Sequence, residues 1–289
     1  MTDIRTISPA TQFCMVIGDP IGHSLSPAIH NTGYAELGLD FVYIACRVKD
    51  VQGALTGMRA LENFRGMSVT IPHKVTVMAY MDTIADVDRA IGAINTVIHD
   101  RDKLVGLNTD GPGALKALAD AGVDLSGKSV LMLGSGGAAR AIAFTLAWEN
   151  RLARLELLDI DTSMLDRLAS DLKVRTQARI ESREMNASTL ADAMQNADVI
   201  IHCTPIGMHP KEKASLVPAE LMRAGQVVFD VVYTPLETKL LADARAKGLQ
   251  TISGVEMFIN QAVLQFERFT GQPAPERAMR QVVMEHLGS

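Results

Sequence analysis

The chain is short of several features that mark particular classes of protein. Only three of its 289 residues are cysteines, Cys14, Cys46 and Cys203. They are widely separated and each lies in an apolar, strand-like run. A disulfide framework is therefore not expected, and buried thiols in a reducing cytoplasm are. No apolar run approaches the roughly 18 residues that a membrane span needs, so no membrane partner is expected. Met1 to Gln12 carries no apolar h-region, which argues against a signal peptide. Basic residues are not clustered and the net charge is −5, which argues against nucleic acid as a partner. His23, His30, His73 and His99 lack a metal-ligand spacing, and Pro205 and Gly207 account for the loop flanked by His202 and His209. No metal is expected. Repeats and low-complexity linkers are missing too.

What is present is a hydrophobic content of 47%, enough for real cores, on a length that suggests about two domains. The most informative run is Val130-Leu131-Met132-Leu133-Gly134-Ser135-Gly136-Gly137-Ala138-Ala139-Arg140. A strand-like stretch enters a glycine cluster and leaves in a helix-forming run. A dinucleotide pyrophosphate needs this layout. Gly134 permits a tight turn, Gly136 lets backbone approach the phosphates, and Ala139 allows the helix to pack close to its strand. The helix N-terminus adds free N–H groups and the positive end of its dipole. Asp159 ends the next strand-like run, roughly 20 residues on, where an acid that binds ribose hydroxyls is expected.

Strand and helix signals alternate before this run as well. Strands are expected at Phe13–Ile17, Phe41–Val48 and Gly66–Ile71, and a hairpin at Thr96–His99 and Lys103–Gly106. Helices are expected from Ser26, with Ser26 as N-cap and Gly38 as stop, at Val51–Leu61, around Lys74–Met81 and near Ile84–Ala90. After a helix at Pro112–Ala121, strands at Ser129–Leu133, Leu155–Leu158, Val199–His202, Val227–Val231 and Gln250–Ser253 alternate with helices. The clearest are Ala138–Trp148, Met164–Leu172 and Leu190–Gln195. The pattern predicts an α/β fold: an N-terminal α/β substrate domain, 1–110, and a C-terminal Rossmann domain with a doubly wound parallel sheet, 111–254. Two further helices, Glu256–Thr270 and Pro275–Leu287, are expected to return to the first domain, so that 255–289 completes it.

Four polar clusters interrupt apolar segments near strand ends. In Gly18-Asp19-Pro20-Ile21-Gly22-His23-Ser24-Leu25-Ser26-Pro27, two hydroxyls can both donate to a carboxylate, although Ser26 alone reads as a helix cap. Ser68-Val69-Thr70-Ile71-Pro72-His73-Lys74 delivers a lysine just past a strand; alone, a solvated lysine. Asn95 in Gly92–Thr96 reads alone as a turn amide, and Asp110 in Gly106–Gly111 as a helix cap. Together, upstream of a dinucleotide motif, they suggest a substrate site.

These segments, GDPIGHSLSPAIHN, SVTIPHK, GAINT, GLNTDGPG, GSGGAAR, CTPIGM, DVVYTPLETKLL and GVEMFINQA, resemble the shikimate/quinate dehydrogenase family in kind and order. The resemblance spans about residues 15 to 270. It implies a cleft between the two domains and reversible hydride transfer between a nicotinamide and C3 of a hydroxylated cyclohexene carboxylate. It further implies Lys74 and Asp110 as the catalytic pair. Ser24 and Ser26, assisted by Tyr233, would bind the substrate carboxylate, and Ser68, Thr70, Asn95 and Gln261 would meet the ring hydroxyls. Gly134, Ser135, Gly136, Gly137, Ala138, Asp159, Thr204, Gly254 and Met257 would hold the cofactor. The chain departs from the family in Ser68, where Asn is frequent, and in His202, also frequently Asn.

Relatives that use NADP commonly carry Asn-Arg-Thr where this chain has Asp159-Ile160-Asp161. A carboxylate accepts hydrogen bonds from ribose hydroxyls and repels a 2′-phosphate, so NAD is the expected cofactor, with NADP as the alternative if a nearby arginine compensates. The expected partner is a small molecule, shikimate or quinate, bound by a monomer or homodimer. A substrate-analogue paralogue and a catalytically silent NAD-binding regulator are the competing functions; retention of Lys74 and Asp110 argues against the second.

Overall fold

The computed structural model describes residues 7–149 and 151–288; Met1–Thr6, part of the segment read for a signal peptide, lies outside them. The chain divides into two units, one comprising the residues up to Thr109 together with Ala262–Leu287, the other Asp110–Gln261.

The first unit opens with β1 (Gln12–Gly18), α1 (Ser26–Glu36), β2 (Phe41–Arg47), α2 (Val51–Arg59) and β3 (Phe64–Val69). A short 3-10 helix at Thr76–Tyr80, then β4 (Thr83–Ile84), α3 (Asp86–Ile91), β5 (Thr96–Asp100) and β6 (Lys103–Leu107) follow. The sheet order is β2-β1-β3-β5-β6-β4. β1 pairs in parallel with β2 and β3, whereas β5 runs antiparallel to β3 and β6. Alternation along β1 sends Met15 and Ile17 into a core with Phe64, Met67, Val97 and Leu104.

The second unit contains α4 (Asp110–Asp120), β7 (Ser129–Leu133), α5 (Gly137–Glu149), β8 (Arg154–Asp159), α6 (Thr162–Arg175) and β9 (Ile180–Glu184). It continues with α7 (Ala187–Asn196), β10 (Val199–His202), β11 (Val227–Asp230), α8 (Lys239–Ala246) and β12 (Gln250–Ser253). All strands are parallel, in the order β12-β11-β10-β7-β8-β9. Strand order reverses between β7 and β10, which makes their C-terminal ends the ligand-binding crevice of a doubly wound sheet. The near-continuous apolar runs of β7 and β10 are those of strands buried on both faces.

The last helices are α9 (Gly254–Thr270) and α10 (Glu276–Leu287). Within the first unit, Phe266 and Phe269 join His30, Tyr34 and Tyr43 in an aromatic cluster. Two glycines make room for it: a Cβ on Gly33 would lie 2.7 Å from the Phe266 ring, and one on Gly66 2.7 Å from the Phe269 ring.

Several elements differ from expectation. Ser26 is not the cap: α1 starts at Ser26, Leu25 is the capping position, and the Ser24 hydroxyl accepts from the Ser26 N–H at 3.3 Å. The helix expected over Lys74–Met81 is a single 3-10 stretch, because Val75-Thr76-Val77 is a β-branched run that disfavours α-helix. Ile84 belongs to a short strand, not to the following helix. β9 was not expected at all; its charged Glu181, Arg183 and Glu184 suit the edge of the sheet. The units part at Thr109 and Gln261, not at 110 and 254. The first turns of α9 stay with the second unit because Phe258 stacks on Tyr233 and Gln261 packs against Gly113.

Candidate active site

In the first unit the candidate substrate residues gather at the C-terminal ends of β1 and β3. Ser24 and Ser26 occupy the turn after β1, and Ser68 and Thr70 the exit of β3. Gly18 lets these segments meet: a Cβ there would lie 2.6 Å from Thr70 Cγ2. Asn95 is tied to the same edge, its carbonyl accepting from the Val69 N–H at 2.7 Å. The Lys74 carbonyl accepts from the Ile94 N–H at 2.9 Å, which holds the lysine segment beside Asn95.

Behind these residues runs a buried polar chain. The Tyr43 hydroxyl donates to Ser68 Oγ at 2.6 Å, and Ser68 donates to Gln265 Oε1 at 2.7 Å. Gln265 Nε2 donates to Thr96 Oγ1 at 2.8 Å, and Thr96 donates to Asn95 Oδ1 at 2.7 Å. Asn95 Oδ1 also accepts from the Thr109 N–H at 2.8 Å. The Ser68 proton is thus committed to Gln265, and the side chain offers a ligand only its remaining lone pair. Tyr43, Thr96, Thr109 and Gln265 were not legible as parts of the site. The one available signal was that Gln265 lies one helical turn beyond Gln261.

The Asp88 carboxylate steadies the same region by accepting from the Asn108 N–H at 3.1 Å. Burial raises its pKa to about 6, partly opposed by that N–H.

In the second unit, Gly134 has φ +105°, a conformation that side chains rarely adopt, and a Cβ there would sit 3.0 Å from Thr204 Cγ2. Among the described residues, no atom lies within 4 Å of a Cβ added at Gly136 or Gly137. This is the cradle a pyrophosphate needs at the N-terminus of α5, so the residues present fit a dinucleotide. Asp159 ends β8 with Oδ2 accepting from the N–H and hydroxyl of Ser135 at 2.7 and 2.6 Å. Its Oδ1 accepts from the Asp161 N–H at 3.0 Å. Next to this turn lies a cavity of about 420 Å³ whose lining includes Ser135, Arg140, Met164, Arg167 and Asp171. Gly254 packs against backbone, an added Cβ meeting the Val231 carbonyl oxygen at 2.3 Å. Met257 is buried beside Gly113, and Ala138 lies in the first turn of α5.

Three residues expected to meet substrate or take part in catalysis, Asp110, Tyr233 and Gln261, belong to this second unit. Asp110 is the first residue of α4 rather than its cap. Tyr233 is exposed and stacks on Phe258 with ring centres 4.8 Å apart, and Gln261 Nε2 donates to the Phe258 carbonyl at 3.0 Å. Among the described residues, no group of three or more His, Cys, Asp or Glu side chains could hold a metal ion.

A doubly wound unit with a glycine turn and an acid on the next strand, in one chain with an α/β unit rich in hydroxyl and amide groups, defines a Rossmann-type oxidoreductase. Residues 16–97 match the shikimate dehydrogenase substrate binding domain and residues 254–284 the shikimate 5′-dehydrogenase C-terminal domain. A shikimate dehydrogenase (NADP(+)) of Bacillus subtilis is 42% identical over 278 residues, 94% of this chain and 96% of that relative. Among solved structures, shikimate 5-dehydrogenase from Listeria monocytogenes in complex with shikimate and NAD superposes with a TM-score of 0.92 at 32% identity, covering 96% of this chain and 98% of that one. Quinate dehydrogenase from Corynebacterium glutamicum in complex with NAD gives 0.88 at 28% identity, covering 95% and 99%. The chain belongs to the shikimate dehydrogenase family.

Proposed function

We propose that this protein catalyses the reversible oxidation of the C3 hydroxyl of shikimate to 3-dehydroshikimate, with NAD as the preferred cofactor. The observation that carries the cofactor choice is Asp159, whose carboxylate sits against Ser135 at the glycine turn. Ile160 follows it, exposed and uncharged, and the Asp161 carboxylate caps α6 by accepting from the Met164 N–H. Asp159 and Asp161 flank the uncharged Ile160, a sequence that favours ribose hydroxyls and repels a 2′-phosphate.

NADP is favoured by the names of the curated relatives, which are shikimate dehydrogenases (NADP(+)), and by Arg140 and Arg167, which line the adjoining cavity. Arg140, however, is paired with Asp171 at 2.7 Å. The test is kcat/KM and dinucleotide dissociation constants with NAD(H) and NADP(H) under matched conditions. At least a tenfold advantage for NAD is expected, and a clear advantage for NADP overturns the assignment.

When bound, the oxidised nicotinamide would supply the acceptor for the hydride that leaves C3 of the substrate. The protein must then take the hydroxyl proton. We assign that step to the Lys74 amine with Asp110 as its partner, and carboxylate binding to Ser24, Ser26 and Tyr233. The ring hydroxyls fall to Ser68, Thr70, Asn95 and Gln261. Lys74→Ala should lose several orders of magnitude in kcat with little change in KM; near-normal turnover would refute the role. Quinate, tested in the same assay, shows whether a saturated ring is also accepted. Three free thiols suit a reducing, cytoplasmic setting.

A further inference from the structure

The second unit holds a buried polar chain that the reaction described above leaves unused. His202 closes β10, Asp230 closes the neighbouring β11, and the two residues are in register. Their side chains are 1% and 0% exposed. His202 Nδ1 lies 2.8 Å from Asp230 Oδ1, which also accepts from the Val232 N–H at 3.1 Å. Asp230 Oδ2 accepts from the Thr238 hydroxyl at 2.6 Å. On the opposite side of the ring, His202 Nε2 lies 2.6 Å from Thr204 Oγ1, which accepts from the Ile206 N–H at 3.3 Å. Thr204 is half-buried and rests against Gly134 at the point where strand order reverses.

The donors and acceptors can be counted round this chain. The Asp230 carboxylate only accepts, so Nδ1 carries a proton. In the neutral ring Nε2 is then an acceptor, and the Thr204 hydroxyl must donate to it. One lone pair of Thr204 Oγ1 takes the Ile206 N–H, and what remains is a single acceptor site. We propose that His202 is a positioning residue that commits Thr204 to accept a hydrogen bond from the nicotinamide half of the dinucleotide. Thr204 then takes a carboxamide N–H or a ribose O–H and disfavours a phosphate oxygen, which can only accept. β10 begins the second half of the doubly wound sheet, the half that receives the second mononucleotide. The proposal rests on the dinucleotide assignment made above.

Two measurements test it, neither needing turnover. Long-range nitrogen–proton spectra of uniformly ¹⁵N-labelled wild-type protein should show His202 as the neutral, Nδ1-protonated tautomer, assigned by the loss of its signals in His202→Asn. An imidazolium or an Nε2-protonated ring overturns the proposal. Fluorescence titration then gives dissociation constants for NADH and for its reduced 3-acetylpyridine analogue, which lacks the carboxamide N–H. Thr204→Val should weaken NADH about tenfold, Thr204→Ser should restore it, and His202→Phe, which has no acceptor for the Thr204 hydroxyl, should behave like Thr204→Val. If the analogue is unaffected by Thr204→Val, the donor is the carboxamide. If it weakens equally, the donor is a ribose hydroxyl, and a deoxyribose analogue should then be insensitive. Unchanged NADH binding in Thr204→Val overturns the proposal and leaves the dinucleotide assignment standing. Failure of the wild-type protein to bind either NADH or NADPH refutes that assignment instead.

Discussion

Acid should destabilise this protein through one histidine. His30, on α1, is 0% exposed. Its ring stacks on Tyr43 with centres 4.3 Å apart and planes 5° from parallel. Among the described residues, neither ring nitrogen has a partner in hydrogen-bond geometry. Burial lowers its pKa from an ordinary 6.5 to about 3, only partly offset by the nearby Gln265 amide. Above the ordinary value both folded and unfolded chains hold the ring neutral, and His30 adds no pH dependence. Below it the unfolded chain binds a proton that the folded chain refuses. Stability then falls by about 1.4 kcal/mol per pH unit, reaching about 2 kcal/mol near pH 5. That is a sizeable share of a total of about 5–15 kcal/mol. The assay is urea unfolding of wild type and His30→Phe at about pH 7.5 and pH 5. Any packing cost of the larger ring appears at both pH values and cancels in the difference. The wild type should lose about 2 kcal/mol more than the variant between them. Equal losses would show that the buried ring is protonated without penalty and would refute the reasoning.

Asp88 acts with the opposite sign: its folded pKa is raised from 3.8 to about 6, so its contribution is present in acid and is lost as pH rises through 6. Asp88→Asn, which keeps an acceptor for the Asn108 N–H, should therefore gain about 1–2 kcal/mol relative to wild type at pH 8 but not at pH 4, read from unfolding midpoints. Gly66→Ala would place a Cβ 2.6 Å from the Val97 carbonyl oxygen and 2.7 Å from the Phe269 ring. It should cost about 2–4 kcal/mol by thermal denaturation, with a loss below 0.5 kcal/mol counting against the packing described. Burial pushes the Cys14 thiol up to about 12 and also raises Cys203. A thiol reagent should label only Cys46 in the native protein and all three cysteines once unfolded; rapid native labelling of Cys14 would contradict its burial.

How legible this molecule was in its sequence depended on whether a residue's neighbours along the chain carried its role. The strands β7 and β10 lie at their expected residues, because continuous apolar runs bounded by turn residues have few alternatives. The glycine turn and Asp159 were legible for the same reason. β9 was hidden because Ile180-Glu181-Ser182-Arg183-Glu184 reads as a polar loop. Its Arg183 pairs with Glu156, a carboxylate 2% exposed inside β8, and that partner lies 27 residues away. The hydroxyl chain from Tyr43 to Asn95 was hidden likewise, since Ser68 and Gln265 are 197 residues apart. Only tertiary structure joins such groups, and no local pattern marks them.

Phe266, Phe269 and Met279 belong to the core of a unit whose strands lie before Thr109, while the other unit is one continuous segment. Order of synthesis therefore opposes order of completion. On the ribosome, the unit made second has all of its own residues first, and the unit made first waits, its aromatic cluster half built, until 262–287 have emerged. Throughout that interval the Ser68 hydroxyl has no Gln265 to receive its proton, so the substrate unit acquires its finished hydrogen-bond pattern last.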